Sequence, residues 1–241
     1  MNKIEYAYSL FQELPLNRGG SCIINGDCLE ELKKLEDDSV DFVFTSPPYN
    51  RVRNDKYDMY DDKLDDWLNL LIKSTDECLR ISRRYVCMNI QQTYFNKVDF
   101  FKYLGHYAEK ICGQIVWVKP NGQPSLNIRD GERSVTNSIE FFIFLSNKRT
   151  TFKSTNLELV RNFIIENINT VHFEGHHAIM KYEVAEKIIS DFTREGDIVL
   201  DPFFGMGTTG VACKKLGRNY IGIELFKEYC EQAQRRIDEI N

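Results

Sequence analysis

Two stretches of the sequence carry residues whose types and spacing suit chemistry. The first is TSPPYN, Thr45 to Asn50, directly after the apolar run VDFVF. Each proline fixes its own φ and restricts the residue before it. Ser46, Pro47, Pro48 and Tyr49 therefore form a rigid corner with a hydroxyl, a backbone carbonyl and a flat aromatic face. Such a corner offers hydrogen-bond acceptors at fixed positions and a flat face for stacking. By itself the pattern also reads as a proline-rich turn that ends a strand.

The second stretch, DIVLDPFFGMGTTGVACKKLGRNYIGIE, lies about 160 residues downstream. An apolar strand ends at Asp201, glycines stand at 205, 207 and 210, a helix starts near Thr208, and a further strand ends in Glu224. Glycine lets backbone approach a ligand closely, and a helix N-terminus presents unpaired N–H groups. An acid at the end of the next strand can accept bonds from both hydroxyls of a ribose. Residues 205 to 210 fit G-x-G-x-x-G, so a nicotinamide-dependent oxidoreductase is one reading. Against it, the motif lies so late that only one more strand follows, and Asp201 and Phe203 crowd a turn where small residues are usual. A tight glycine turn without a ligand and a catalytically idle nucleic-acid binder are the other readings.

The elements that must position these residues alternate. SCIIN, VDFVF, RYVCMNI, CGQIVWV, EFFIFL, DIVL and NYIGI have the apolar, β-branched character of strands. CLEELKKL, KLDDWLNLLIKSTDECLRI, YEVAEKIISDFTR, GTTGVACKKL and LFKEYCEQAQRRIDEI have helical spacing. Alternation predicts an α/β domain, a mostly parallel sheet with helices on both faces. Ligands in such sheets sit beyond the carboxyl ends of the strands, where both motifs begin. Residues 46–62 and 119–138 are polar and too long for simple connections, which marks them as functional loops.

Composition bounds the rest. The chain has 241 residues, 42% hydrophobic and 28% charged, with a net charge of -5. That charge argues against holding nucleic acid by bulk electrostatics, so any such contact must be local. RVRNDK at 51–56 and KRTTFK at 148–153 are the local basic stretches. Seven scattered cysteines with no C-x-x-C pair suggest neither a disulfide framework nor zinc, and are expected to be reduced and mostly buried. No run is long enough to span a bilayer and the N-terminus lacks a signal-peptide pattern, so the expectation is a cytoplasmic protein without membrane contact. His172, His176 and His177 lack companions at ligand spacing, and no metal is expected.

Taken together, GDCLEEL, TSPPYN and the glycine-loop stretch resemble the β class of amino-group DNA methyltransferases, in which the catalytic motif precedes the cofactor motif. The resemblance covers residues 21–50, 112–120, 140–146 and 176–237. It implies a Rossmann-like, S-adenosylmethionine-dependent methyltransferase fold with circularly permuted motif order, and one domain with a small target-recognition insertion at 147–175. It places Asp201, Phe203, Gly205, Gly207, Thr208 and Thr209 around S-adenosylmethionine, Glu224 on the ribose, and Asp27 with Cys28 beside the adenine. Met206 stands where the family has serine. His177 and Lys181 stand where it has prolines, and His176 matches the motif histidine.

The implied reaction is methylation of an exocyclic base amine in double-stranded DNA. Its nitrogen lone pair is delocalised, so the base is flipped out and Ser46 and Pro47 accept the amine protons while Tyr49 stacks. Serine at the first motif position is associated with cytosine N4, and the alternative is adenine N6. Arg51, Arg53, Lys148, Arg149, Lys153 and Arg161 are the candidate DNA contacts. The resemblance also allows a second copy of the chain and a companion restriction endonuclease as partners.

Overall fold

The computed structural model describes residues 20–49, 66–121, 128–129, 132–133, 138–148, 150–155, 161–168 and 180–240. Ten strands and six helices follow in the order β1 (Cys22–Asn25), α1 (Cys28–Leu32), β2 (Val40–Thr45), α2 (Trp67–Ile81), β3 (Ser82–Ile90), α3 (Lys97–His106), β4 (Ile111–Val118), β5 (Ile128–Arg129), β6 (Glu132–Arg133), β7 (Ile139–Leu145), β8 (Phe163–Ile165), α4 (Tyr182–Phe192), β9 (Ile198–Asp201), α5 (Thr208–Leu216), β10 (Asn219–Glu224) and α6 (Lys227–Asp238). Eight strands form one sheet in the order β1-β10-β9-β2-β3-β7-β4-β8. All seven expected strands and all five expected helices are present. The spacing reading passed over α3, β8 and the two-residue pair β5–β6, which are too short or too mixed in polarity to show a period.

The sheet order carries the permutation. β9 and β10, last in sequence, insert between β1 and β2, with β9 pairing parallel to β2 through Phe42↔Val199 and Val43↔Leu200. Thr45 and Asp201, the last residues of β2 and β9, thereby become neighbours. The helices cover both faces. Leu32, Trp67, Leu71, Phe100 and Tyr103 from α1 to α3 pack on one side. Val184, Ile188, Val211, Ala212, Ala233 and Ile237 from α4 to α6 pack on the other. Trp67, Phe42 and Phe142 are essentially inaccessible, and burying side chains of this size contributes roughly 1.5 to 3 kcal/mol each.

One strand departs from the parallel pattern. β7 runs antiparallel to both β3 and β4, so its first residues lie at the edge where β2, β3 and β9 end. The residues after it lie at the opposite edge. Lys148 is there, its Nζ donating to the Arg83 carbonyl at 3.0 Å, and so is Lys153, whose N–H donates to Tyr85 Oη at 3.3 Å. The antiparallel strand thus delivers the described start of the expected 147–175 insertion to the end of the sheet opposite the corner. Farther along, Phe163–Ile165 returns to pair with β4, so part of the expected insertion is the eighth strand of the main sheet.

Glycine has a packing duty under the glycine loop. Phe204 lies beneath it, buried and stacked on Tyr220 with centroids 5.7 Å apart. A Cβ at Gly222 would sit 2.4 Å from the Phe204 ring, and one at Gly210 2.5 Å from Ile237 Cδ1. The third glycine of G-x-G-x-x-G therefore serves the packing of α5 against α6 and the Phe204 ring. Gly222→Ala is expected to lower unfolding stability by about 1 to 3 kcal/mol through overpacking, measured by urea denaturation; an unchanged midpoint would refute the tight contact.

Candidate active site

The two motifs meet through one buried carboxylate. Asp201 is 4% exposed. Its Oδ1 accepts from Thr45 Oγ1 at 2.6 Å and from the Phe203 N–H at 3.1 Å, and its Oδ2 accepts from Thr209 Oγ1 at 2.5 Å. Thr45 immediately precedes Ser46, and Thr209 lies in the first turn of α5, so the strand that carries the corner and the loop that carries the glycines are joined at one group. Burial pushes the Asp201 carboxyl up to about 6 against the lowering effect of these three donors, with the Glu224 charge adding to the rise.

On the glycine side, Gly205 and Gly207 have φ of 51° and 74°, values that favour glycine. A Cβ on Gly205 would meet nothing within 4 Å, so its requirement is conformational and the space before it is open to a ligand. Glu224 closes the far side of the loop: Oε2 accepts from the Gly205 N–H at 2.8 Å and Oε1 from the Phe226 N–H at 2.9 Å. Burial raises its carboxyl above the ordinary range, and these N–H groups oppose the rise. A carboxylate so placed has lone pairs left for sugar hydroxyls. The donor set and the open face of Gly205 fit S-adenosylmethionine.

The other residues around the loop have protein partners of their own. Thr209 is 2% exposed and its hydroxyl is committed to Asp201, so it ties the loop down from beneath. Thr208 Oγ1 reaches the Met180 carbonyl at 3.5 Å. Asp27 is the N-cap of α1, accepting from the Leu29 N–H at 2.9 Å and the Glu30 N–H at 3.3 Å. Its neighbour Cys28 is buried, and that burial pushes the thiol up to about 12. Asn25 and Gly26 bind the Glu224 carbonyl at 3.0 Å each, which holds the Asp27 turn against the end of β10. Met206 is buried with Tyr229 and Phe226, apolar packing in place of a hydroxyl. Lys181 Nζ donates to Glu166 Oε1 at 2.8 Å and so tethers the start of α4 to the segment after β8.

The proline corner is held from outside. Trp67 Nε1 donates to the Pro48 carbonyl at 2.5 Å, and Asn96 Nδ2 donates to the Tyr49 carbonyl at 2.7 Å. Beneath it lies a polar cluster that the motif reading missed. Tyr49 Oη is 2.9 Å from Ser46 Oγ, 2.5 Å from Asn89 Oδ1 and 3.0 Å from Glu140 Oε2, and Ser46 Oγ is 3.2 Å from Asn89 Oδ1. Lys119 Nζ donates to Glu140 Oε1 at 2.9 Å, an ion pair with side chains 7% and 9% exposed. Asn89 lies next to the end of β3, Lys119 follows β4 and Glu140 lies next to the start of β7, so three strands converge under the corner. Glu140 at the start of the apolar expected strand EFFIFL, and Lys119 directly after the expected strand CGQIVWV, were the available signal.

Among the candidate DNA contacts, Arg161 lies just before β8 with its guanidinium 5.8 Å from the Phe163 ring centroid. Arg51, Arg53, Arg149, His172, His176 and His177 fall outside the described residues.

Residues 40–235 match the model of the DNA methylase family, N6_N4_Mtase. The chain belongs to this family. Among relatives of this DNA methylase, it is 30% identical to the type II methyltransferase M.HinfI of Haemophilus influenzae, across 90% of the chain and 68% of that protein. It is 27% identical to the type II methyltransferase M2.DpnII of Streptococcus pneumoniae, across 100% and 98%. The crystal structure of an M1.HpyAVI–SAM complex is 29% identical with a TM-score of 0.61, covering 90% of this chain and 98% of that one. The cytosine-N4-specific PvuII DNA methyltransferase shares the fold, with a TM-score of 0.75 at 18% identity over 90% and 86% of the chains. The α/β fold is thus that of S-adenosylmethionine-dependent DNA methyltransferases of the restriction-modification type. Among the described residues, no helix of this DNA methylase is long and apolar enough to cross a membrane.

A group whose folded pKa is raised holds its proton longer in the native state, so its contribution to stability falls as pH rises. For Asp201 the window runs from the ordinary value near 4 to about 6. Between pH 4 and pH 7 the wild type is expected to lose about 3 kcal/mol of stability relative to Asp201→Asn, measured by paired denaturation curves; parallel pH profiles would refute it.

Proposed function

We propose that this DNA methylase transfers a methyl group to the N4 amine of a cytosine flipped out of double-stranded DNA. The observation that carries the reading is the joining of Ser46's strand to the glycine loop through Thr45 and Asp201, 2.6 Å apart. S-adenosylmethionine, when bound, supplies an electrophilic methyl on a sulfonium. The chain's residues do the rest. Gly205, Gly207 and Glu224 hold and orient the cofactor, Ser46 Oγ and the Pro47 carbonyl accept the amine protons, and Tyr49 stacks on the base. Positioning supplies most of the acceleration. The amine's pKa collapses on methylation, so no strong base is needed. Ser46 favours cytosine because it offers a hydroxyl where adenine-specific relatives of the resembled class chiefly carry a carboxylate or amide. Arg51, Arg53, Arg149 and Arg161 are proposed to contact DNA, with Lys148 and Lys153 assigned to more distant phosphate contacts. A companion endonuclease is proposed from the restriction-modification setting of the family.

A second copy of the chain is proposed to dock on α3. Tyr94, Phe95, Val98 and Phe101 are 78%, 57%, 57% and 61% exposed on the helix and the turn before it. With roughly 150 to 250 Å² available per aromatic side chain, they offer about 500 Å². That is about 60% of the ~800 Å² each partner contributes to a standard interface, close to the apolar share of homodimer contacts. Asn96 links this turn to the Tyr49 carbonyl, so a dimer would adjoin the corner. Sedimentation equilibrium is expected to give a dimer that Val98→Glu with Phe101→Glu converts to monomer. A monomeric wild type would rule the dimer out.

Incubating the full chain with varied double-stranded DNA and S-adenosylmethionine, then analysing nucleosides by mass spectrometry, is expected to give N4-methylcytosine. N6-methyladenine would overturn the base assignment, and no product would overturn the substrate class. Tyr49→Ala is expected to slow transfer about 10- to 100-fold.

A further inference from the structure

We propose that the Asn89 side-chain amide stands with Nδ2 toward Ser46 Oγ and Tyr49 Oη, making Asn89 a positioning residue that commits the Ser46 proton to Tyr49 and leaves a Ser46 lone pair facing the substrate amine. The first part stands on hydrogen-bond geometry, and only the last clause rests on the methyl-transfer reading.

The argument is a count of protons. Four short contacts link the cluster: Ser46 Oγ to Tyr49 Oη at 2.9 Å, Ser46 Oγ to the Asn89 amide at 3.2 Å, Tyr49 Oη to the same amide at 2.5 Å, and Tyr49 Oη to Glu140 Oε2 at 3.0 Å. With Asn89 Oδ1 at the junction, every atom in these contacts is an oxygen. The two hydroxyls supply one proton each, so two of the four contacts would be bare oxygen against oxygen. A proton on Glu140 would supply only one more, leaving three for four contacts, and Glu140 Oε1 already accepts from Lys119 Nζ at 2.9 Å. Meanwhile Asn89 Nδ2 is buried with no partner among the described residues, and such an orphan donor is costly.

The two ends of an amide have the same shape, so the network decides which end faces which group. Turning the amide by half a revolution places two N–H donors at the junction. Four protons then serve four contacts. Asn89 donates to Ser46 Oγ and to Tyr49 Oη, Ser46 donates to Tyr49 Oη, and Tyr49 donates to Glu140 Oε2, the strongest acceptor present. The Lys119–Glu140 pair sets the direction of the chain, because the end beside an ammonium accepts. Serine has one proton and two lone pairs. Its proton goes to Tyr49 and one lone pair to Asn89, so toward the base Ser46 can only accept.

Two measurements test this on the full chain. In the ¹⁵N-labelled protein, the Asn89 amide protons, identified by their disappearance in Asn89→Asp, are expected to show nuclear Overhauser contacts to the Tyr49 ring and the Ser46 β protons. Absence of contacts to Tyr49 would overturn the orientation. In steady-state methylation, Asn89→Asp replaces two donors by an acceptor of the same shape. Its kcat is expected to fall about tenfold or more, with KM for S-adenosylmethionine essentially unchanged. Wild-type kcat in Asn89→Asp would overturn the proposal, because an accepting amide tolerates that change. If Asn89→Asp fails to fold, Asn89→Gln identifies the resonances and the Overhauser contacts decide. If the wild type methylates no DNA, the substrate reading fails and those contacts still decide the amide.

Discussion

Asp201 is the constraint from which the rest of the site follows. A carboxylate removed from water is costly unless donors replace its hydration, and here the donors are Thr45, Thr209 and the Phe203 N–H. Each belongs to a different part of the site: the strand before the proline corner, the helix after the glycine loop, and the loop itself. Satisfying one buried charge therefore fixes the distance between two motifs that are 156 residues apart. The residual cost of burial appears as the raised carboxyl, near 6, so the clamp is held at some expense in stability.

A second constraint comes from strand direction. Because β7 runs against its neighbours, Glu140 arrives at the catalytic edge and meets Lys119 from the end of β4. Their ion pair would be expensive in isolation. Here it has a further partner in the Tyr49 hydroxyl, and through Tyr49 it reaches Ser46 and Asn89. The ring expected to stack on the base is thereby held at its hydroxyl end by a charged pair and at its backbone by Asn96. The same reversal carries Lys148 to the far edge of the sheet, so basic residues close in sequence to the site's strands need not be close to the site.

Much of this was legible in the chain. Alternating periods gave the class, the prolines gave a rigid corner, and the glycines with Glu224 gave a cofactor turn. Legibility failed where one residue type serves two purposes. Gly205 is required by its φ, whereas Gly210 is required by Ile237 and Phe204 packed above it, and the letter is the same in both cases. Thr209 also ties the loop to Asp201, and Asp27 also caps a helix, duties that the motif alone does not reveal. α3 was missed because its exposed face carries Val98 and Phe101, directly after the exposed Tyr94 and Phe95 of the preceding turn, which blurs the polar and apolar sides that a helical period needs.

The sequence by itself determined the fold class, the order of the motifs and the rigidity of the corner, because period, proline stiffness and glycine conformation act within a few residues and leave their mark on the chain. Only the tertiary structure decided which side chains surround that corner. Asn89, Lys119 and Glu140 come from three strands, and whether they meet depends on strand order and on one antiparallel strand. Those are set by the packing of distant segments, and no local pattern encodes them.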